Sequence, residues 1–341
     1  MVKISVIVVC YNEEKNIAEC LESLVGQNYP QDSYEVIVVD GNSEDSTREI
    51  VAAYAKRHPF IRLVVEPRRY YAMTRNTGIL NSKYDYVAYT DADCLAPKNW
   101  LKVMAQGLLK NKETNPSIVA VGGSNFAPKD ASTFTQAVHI TLNTFIGSFG
   151  SVTGKAYPEP RYVTDLPTLN ALYEKKTLEK IGLFDESLKH EGEDADLNFR
   201  LRKVGFKLLY IPESYVTHKY KPTPKKWALK MYKYGRARAI LMIKDPSMVN
   251  ILYLAPILFV LIMIITTLSV FSPLFLIPLV YFPVIFIMSS MECLRKKRIR
   301  LTFSVMLAYL LTHFGYGLGQ ISVLLKTLFG WKTSRAGGPN R

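Results

Sequence analysis

Paired cysteines are missing from this sequence. Its 341 residues include four cysteines, Cys10, Cys20, Cys94 and Cys293, whose spacing matches neither a zinc site nor a disulfide framework. The N-terminus lacks the charged, apolar and small-residue pattern of a cleaved signal, because an apolar run begins almost at once. We therefore expect a reducing environment, with the N-terminal part of the chain in the cytoplasm.

Two common nucleotide-binding signatures are also absent. No G-x-G-x-x-G follows the first predicted strand, and no G-x-x-x-x-G-K-[ST] occurs anywhere in the chain. This argues against dinucleotide-dependent oxidoreductases and P-loop NTPases.

Acidic residues are scarce in the C-terminal third. Residues 219–238 contain eight basic residues and no acid, and residues 246–341 contain nine basic residues and one acid, Glu292. These segments account for the net charge of +14, so residues 1–218 are close to neutral. A nucleic-acid-binding domain would carry the basic excess itself, so we expect no nucleic-acid partner. Basic residues beside apolar segments are typical of a membrane flank.

Strands and helices alternate through the first hundred residues. The predicted strands are 4–9, 35–40, 61–65 and 84–90, and the predicted helices are 17–25, 47–57 and 73–80. This order predicts an α/β fold with a mainly parallel, doubly wound sheet. Ligands of such sheets bind beyond the carboxyl ends of the strands, which would bring Tyr11, Glu13, Asp40 and Asp91 to one rim.

Two carboxylates end the fourth predicted strand. Asp91 and Asp93 are two residues apart, so in an extended segment both side chains point the same way. Two carboxylates facing one hard cation suit Mg²⁺ or Mn²⁺, with phosphate oxygens completing the shell. The alternative is a pair of solvated turn residues, because Asp is common where strands end.

A second acidic cluster spans residues 191–196. Apolar residues recur on one helical face from residue 195 onwards, so Glu193 and Asp194 fall at the start of a helix. Acids are favourable there in any helix, because of capping and the helix dipole. Four acids in six residues are more than capping and the helix dipole require. Asp196 is predicted to pair with Arg200, one turn later.

Residues 124–165 form a long, aromatic stretch without clear periodicity. It follows a predicted helix at 100–109 and a predicted strand at 118–123, and it includes Phe126, Phe149 and Tyr162. Long irregular segments are commonly functional, so we interpret it as the acceptor side of a cleft. Packing of loops against membrane-proximal helices is the alternative interpretation.

Four ordered motifs resemble those of the family 2 glycosyltransferases. They are Val9-Cys10-Tyr11-Asn12-Glu13, Val38-Val39-Asp40-Gly41-Asn42-Ser43, Ala72-Met73-Thr74-Arg75-Asn76-Thr77-Gly78 and Tyr89-Thr90-Asp91-Ala92-Asp93. The resemblance covers residues 3 to about 240 and implies the GT-A nucleotide-diphospho-sugar transferase fold. Val9 stands where many members have proline.

The resemblance also implies roles for individual residues. The Glu-Asp motif implies that Asp194 is the general base of an inverting transfer. Nucleotide-sugar binding is expected from Tyr11, Glu13, Asp40, Arg75, Asp91 and Ala92, and Mn²⁺ or Mg²⁺ binding from Asp91, Asp93 and His218. The acceptor or diphosphate side is expected to include Glu193, Tyr234 and Arg236. A hydrogen-bonded structural histidine and a solvated helix arginine are the alternatives for His218 and Arg75.

Residues 219–245 mix cations with Trp, Tyr and Met, which predicts an amphipathic helix in the headgroup layer of a membrane. Part of this segment resembles membrane-linked, exopolysaccharide-type members of the family. Processive members carry a Q-x-x-R-W motif here and this sequence does not. The absence favours transfer of one sugar per encounter.

Residues 246–291 contain no Asp, Glu, Lys or Arg, which leaves room for two membrane spans. The predicted spans are about 250–271, 273–291 and 303–325, and the basic cluster at 295–300 is predicted to be cytoplasmic. Gly315, Gly317 and Gly319 would allow close helix contact. A third crossing would leave Lys326 and the later basic residues outside, against the positive-inside rule. The third segment therefore spans, is re-entrant, or pairs with a second copy as a homo-oligomer.

These observations predict three regions: a cytoplasmic GT-A domain at 1–218, an interfacial helix at 219–245 and transmembrane helices at 246–330. The predicted function is a membrane-bound, metal-dependent inverting glycosyltransferase. It would use a UDP- or GDP-sugar and a polyprenyl-phosphate or glycolipid acceptor. The alternatives are a polysaccharide chain-extending synthase and a non-catalytic nucleotide-sugar-binding membrane protein.

Overall fold

The computed structural model describes residues 2–148, 155–189, 192–266 and 272–330. The chain divides into two compact units, one of Met1–Pro128 with Ser151–Tyr220 and the other of Lys129–Gly150 with Lys221–Arg341. Residues 129–150 thus belong to the second unit, although sequence reasoning left them with the first. Phe149, residues 267–271 of the first predicted span and the basic residues after 330 lie outside the described residues.

The described residues contain nine strands and twelve α-helices. The strands are β1 Ile4–Cys10, β2 Tyr34–Asp40, β3 Ile61–Val65, β4 Tyr86–Asp91, β5 Cys94–Leu95, β6 Ile118–Phe126, β7 Arg161–Val163, β8 Ala171–Glu174 and β9 Lys207–His218. The helices are α1 Ile17–Val25, α2 Thr47–Arg57, α3 Tyr71–Asn81, α4 Trp100–Thr114, α5 Thr133–Leu142, α6 Phe145–Ser148, α7 Lys175–Lys180, α8 Glu193–Lys203, α9 Pro224–Lys244, α10 Ile251–Ile265, α11 Tyr281–Arg295 and α12 Thr302–Leu328.

The first unit is built on one mixed sheet, with strand order β3-β2-β1-β4-β8-β6-β9-β5 and β7 paired to β9. The first four strands are parallel, with Cys10 beside Asp40 and Val9 beside Asp91, which confirms the doubly wound arrangement predicted there. β8 then runs antiparallel to both β4 and β6. Its four residues carry no periodicity from which a direction could be read.

Alternation along β1 explains its continuous apolar run. Ile4, Val6 and Val8 belong to a core that includes α1 and α4, whereas Ile7 and Val9 belong to a core that includes α3 and α8. Successive side chains of a strand point to opposite faces, so a strand covered on both faces needs apolar residues throughout. The two cores fix the carboxyl ends of the parallel strands at one edge of the sheet.

The second unit is helical. Two of its segments, Leu276–Arg295 and Ile299–Leu328, are long and apolar enough to cross a membrane by length and composition, and the shorter Ile251–Ile265 is also apolar. The predicted span at 273–291 corresponds to a 3-10 stretch, Pro273–Val280, followed by α11. The predicted span at 303–325 lies within α12.

Glycines bring α12 against two other helices of the second unit. A Cβ on Gly319 would lie 2.0 Å from the Tyr232 carbonyl oxygen of α9, and one on Gly317 would lie 2.2 Å from the Pro256 carbonyl oxygen of α10. Gly235 of α9 makes a reciprocal approach to the backbone of α12. The close helix contact predicted at Gly315, Gly317 and Gly319 is confirmed, and it occurs within one chain. The interfacial location of α9 remains a prediction.

Replacing Gly319 by alanine should lower the free energy of unfolding by about 1–3 kcal/mol, because the new Cβ meets the α9 backbone. Alanine favours a helix over glycine by about 1 kcal/mol, so without the contact the sign would be opposite. Thermal unfolding of the full chain in detergent measures the change.

The control is Leu318→Ala, because Leu318 lies on the exposed side of the same helix. It should lower Tm less than the glycine substitution. A Tm for Gly319→Ala at or above that of the wild type would contradict the packing argument.

Candidate active site

The loops after β1 and β2 support one another. Asn12 and Asn42 adopt left-handed backbone conformations, with φ of 55° and 64°, which asparagine tolerates better than most residues. The backbone N–H of Asn12 donates to Ser43 Oγ at 2.9 Å, and the backbone N–H of Glu44 donates to Asn12 Oδ1 at 2.8 Å. These cross-links fix the conformation of the two loops at the rim.

Asp40 lies beneath these loops and has no exposed surface. Its carboxylate accepts hydrogen bonds from the backbone N–H of Ser43 at 2.8 Å and from Ser43 Oγ at 2.5 Å. Arg48 Nε lies 4.0 Å away. The carboxylate therefore holds the 41–43 turn in place. No part of Asp40 is accessible in this structure, and its expected contact with a base or ribose remains a prediction.

Tyr11 and Glu13 follow β1 at the same rim. Tyr11 is 40% exposed, and the Arg69 guanidinium lies 5.0 Å above its ring while donating to its hydroxyl at 3.0 Å. Burial raises the pKa of the Glu13 carboxyl, and the charges of Asp93 and Asp91 raise it further, while a hydrogen bond from Asn16 opposes the shift. Asp91 and Asp93 are distant from Glu13 in the sequence, but their charges act on its carboxyl, as expected for acids at one rim.

Arg75 of α3 links the two acidic motifs. The side chain is buried, forms an ion pair with Glu193 at the start of α8, and places Nη2 3.9 Å from Asp91 Oδ1 at the end of β4. Burial disfavours its charge, but Glu193 and Asp91 raise the pKa of the guanidinium and keep it ionised. Burial raises the pKa of the Glu193 carboxyl, and the Arg75 charge opposes that shift. Arg75 is therefore not the solvated helix arginine of the alternative interpretation.

Asp194 follows Glu193 in the first turn of α8. The helix begins after Gly192, whose φ of 97° is a left-handed conformation that suits glycine. Asp194 Oδ1 accepts a hydrogen bond from the Ala195 backbone N–H at 2.7 Å, and the side chain is partly exposed. The Asp194 charge acts on Arg75, which links this carboxylate to the same rim.

Asp93 and His218 meet where β5 pairs with the end of β9. His218 Nε2 lies 3.1 Å from Asp93 Oδ2, and the Cys94 thiol belongs to the same cluster. Two ligands at about 2.1 Å on neighbouring octahedral positions are roughly 3 Å apart, so these two donors could share one cation. The carboxylate oxygens suit Mn²⁺ or Mg²⁺, whereas an imidazole ligand is more typical of transition-metal ions. Burial raises the pKa of the Cys94 thiol, which disfavours the thiolate.

The remaining predicted site residues fall into two groups. Ala92 is buried, and its backbone N–H donates to the Val9 carbonyl at 3.3 Å. Tyr234 and Arg236 lie on α9, in the second unit, and their expected place beside the diphosphate remains a prediction. The predicted pair of Asp196 and Arg200 is confirmed, with Nε 2.6 Å from Oδ2.

Sequence reasoning missed an ion-pair network that contacts α3 at Thr77. Glu66 accepts from the Arg68 guanidinium at 2.7 and 2.9 Å and from Thr77 Oγ1 at 2.6 Å, and Arg68 also pairs with Glu186. The hydrogen bonds from Arg68 lower the pKa of the Glu66 carboxyl to about 2. The Arg68-Arg69 pair in the sequence was the available signal, but Glu186, the second partner of Arg68, is distant along the chain.

Comparisons with known proteins agree with this architecture. Residues 5–182 match the family described as Glycosyl transferase family 2. A dolichyl N-acetyl-alpha-D-glucosaminyl phosphate 3-beta-D-2,3-diacetamido-2,3-dideoxy-beta-D-glucuronosyltransferase of Methanococcus voltae is 27% identical over 270 residues, which cover 77% of this chain and 81% of that protein. Glycosyltransferase AglE of Haloferax volcanii is 28% identical over 221 residues, which cover 64% and 67%.

Among solved structures, the mannosyltransferase PcManGT from Pyrobaculum calidifontis, in complex with GDP-Man and Mn²⁺, has a TM-score of 0.59. It is 22% identical, and the match covers 96% of this chain and 87% of that one. This similarity shows the GT-A fold, as the sequence motifs implied. With more than half of its residues matching the family, the chain belongs to glycosyl transferase family 2 and is a glycosyltransferase.

Proposed function

We propose that this glycosyltransferase is membrane-bound and moves one sugar, with inversion, from a nucleoside-diphosphate sugar to a lipid-linked acceptor. The observation that carries the proposal is the ion-pair link of Arg75 to both Asp91 and Glu193. It joins the strand end expected to hold the donor diphosphate to the helix that carries the expected base. A donor site at Asp91 and a base at Asp194 would then lie at one rim.

The donor side would use the rim loops. Tyr11 offers an exposed aromatic face and Glu13 a carboxylate, while the buried Asp40 keeps the neighbouring turn rigid. Asp91, Asp93 and His218 would hold Mn²⁺ or Mg²⁺. When bound, such an ion neutralises diphosphate oxygens and acts as a Lewis acid for the departing group. Arg75 adds a fixed positive charge close to Asp91.

Asp194 would act as the general base. The acceptor hydroxyl oxygen forms a bond to the anomeric carbon, the bond from that carbon to the diphosphate oxygen breaks, and the hydroxyl proton passes to the Asp194 carboxylate. Attack opposite the leaving group inverts the anomeric configuration. Glu193 would act as a positioning residue through its ion pair with Arg75, rather than as a direct acceptor contact.

A lipid-linked acceptor is supported by two independent features. The Methanococcus voltae relative is named for transfer to a dolichyl-linked sugar phosphate. The second unit carries two helices long and apolar enough to cross a membrane. An acceptor headgroup displayed at a bilayer surface would be served by an enzyme anchored in that bilayer. We propose that the first unit is cytoplasmic and that UDP- or GDP-sugars are the donors.

Chain extension is the competing function within the same family. The missing Q-x-x-R-W motif favours single transfer. Membranes containing the protein should be incubated with a panel of nucleotide sugars and Mn²⁺, and the lipid fraction analysed by mass. A product heavier by one sugar supports single transfer, and a ladder of masses would favour the synthase. Donor binding without any product would favour the non-catalytic alternative.

Asp194→Asn should lower kcat by about 10²- to 10⁴-fold, because the amide cannot accept the hydroxyl proton. Donor binding, measured by calorimetry, should be nearly unchanged. The matched control is Asp196→Asn, which removes a charge from the same helical turn but from a residue paired with Arg200. Activity per folded molecule should survive in the control. Retained turnover by Asp194→Asn would remove this residue as the base.

Asp93→Ala should lose the Mn²⁺-dependent part of nucleotide affinity, because it removes a carboxylate that lies 3.1 Å from His218. Calorimetric titration with Mn²⁺ and with a chelator measures that part directly. The variant should bind the nucleotide about as the wild type does in chelator.

The matched control is Glu19→Gln, which removes an exposed carboxylate paired with Lys219. It should keep the full dependence on Mn²⁺. Equal dependence in Asp93→Ala and the wild type would exclude Asp93 as a metal ligand.

A further inference from the structure

A basic pocket lies in the second unit, at the turn between α11 and α12. Its volume is about 290 Å³, close to the lower end of the range for small-molecule sites. The lining residues are Gln136, Lys297, Arg298, Ile299, Arg300 and Leu301. Gln136 belongs to α5, so the pocket is formed by two segments that are distant in sequence. Neither the family match nor the proposed transfer chemistry accounts for it.

No described residue neutralises the positive charge of this pocket. Among the described residues, no carboxylate forms an ion pair with Lys297, Arg298 or Arg300. Arg298 donates to the neutral Gln136 Oε1 instead. The acid that is nearest in sequence, Glu292, pairs with Arg295 at 2.8 Å. Three cations that have no carboxylate partner in the described part of the chain would attract an anion to one concavity.

The backbone of the turn is fixed by its own hydrogen bonds. Lys297 has a left-handed φ of 55°, and its N–H donates to the Leu294 carbonyl at 2.9 Å. The Arg298 N–H donates to the Cys293 carbonyl at 2.7 Å, and the Leu301 N–H donates to the Arg298 carbonyl at 2.9 Å. The turn is thus a defined loop that presents its cations together, rather than a freely moving basic tail.

One exposed apolar side chain lines the pocket, and another follows the lining residues by two positions in the sequence. Ile299 is 51% exposed, Phe303 is 75% exposed, and the Phe303 ring lies 5.7 Å from that of Phe286. The pocket also lies between the two segments that could cross a membrane. Cations beside exposed apolar groups match an amphiphile that has an anionic head and a hydrocarbon chain.

We propose that this pocket binds the phosphate monoester headgroup of an anionic lipid. Lys297 and Arg300 would provide the charge, Arg298 would donate to phosphate oxygens, and Ile299 and Phe303 would contact the upper part of the chain. The monoester could belong to an anionic bilayer phospholipid or to a polyprenyl-phosphate carrier. Binding of the phospholipid would go beyond the proposed sugar transfer, whereas binding of the carrier would deepen it and rests on the proposed function.

The test uses the full chain in phosphatidylcholine nanodiscs. Separate samples are doped with phosphatidic acid or polyprenyl phosphate, and a third receives inorganic phosphate; bound lipid is counted by native mass spectrometry. Lys297→Gln with Arg300→Gln should weaken lipid binding by about tenfold or more, because each surface cation contributes about fivefold. Both side chains are exposed, and thermal unfolding checks that the variant folds.

The control removes two charges from the same turn outside the pocket, by Arg295→Gln with Lys296→Gln. Weakening confined to the pocket variant supports the proposal, and the tighter of the two lipids identifies the source of the phosphate. Equal weakening by the control would mean diffuse attraction to a basic turn and would overturn it. Equal binding of phosphatidylcholine, or of inorganic phosphate, would overturn it as well.

Discussion

The ion pair between Arg75 and Glu193 is the interaction on which the candidate active site depends. Both side chains are almost completely buried, and a buried charge without a partner costs several kcal/mol. The pair therefore fixes α3 against the start of α8, and the approach of Arg75 to Asp91 includes the end of β4. Three elements that are far apart in the chain are held at one rim by a single guanidinium.

The rest of the rim is rigid for a related reason. Asp40 is a buried carboxylate whose oxygens are satisfied by the turn that follows it, and Ser43 passes that restraint to the loop containing Asn12. Buried polar groups are nearly always hydrogen-bonded. Movement of the turn would leave the buried Asp40 carboxylate without its hydrogen bonds, which is unfavourable. Such preorganisation suits a site that must position a flexible diphosphate.

The helices of the second unit are held together by a different kind of interaction. Its helices are apolar, and in the bilayer in which we propose that they lie the hydrophobic effect would give little drive for helix association. Small residues and buried hydrogen bonds take that role here: Gly319 allows α12 to approach α9, and Trp227 Nε1 donates to Thr312 Oγ1 at 3.0 Å. His313 and Tyr281 join α12 to α11 through a 2.7 Å hydrogen bond. These contacts occupy the glycine face that could otherwise have paired two copies of the chain.

The sequence by itself determined the strand and helix order of the first hundred residues, the acids at the strand ends and the family, because these depend on local periodicity and short motifs. It also determined the Asp196–Arg200 pair, which a single helical turn specifies. Only the tertiary structure decided the direction of β8, the burial of Asp40 and the partner of Arg75. Each of these depends on contacts between residues distant along the chain, and local patterns carry no information about which distant group will satisfy a buried charge.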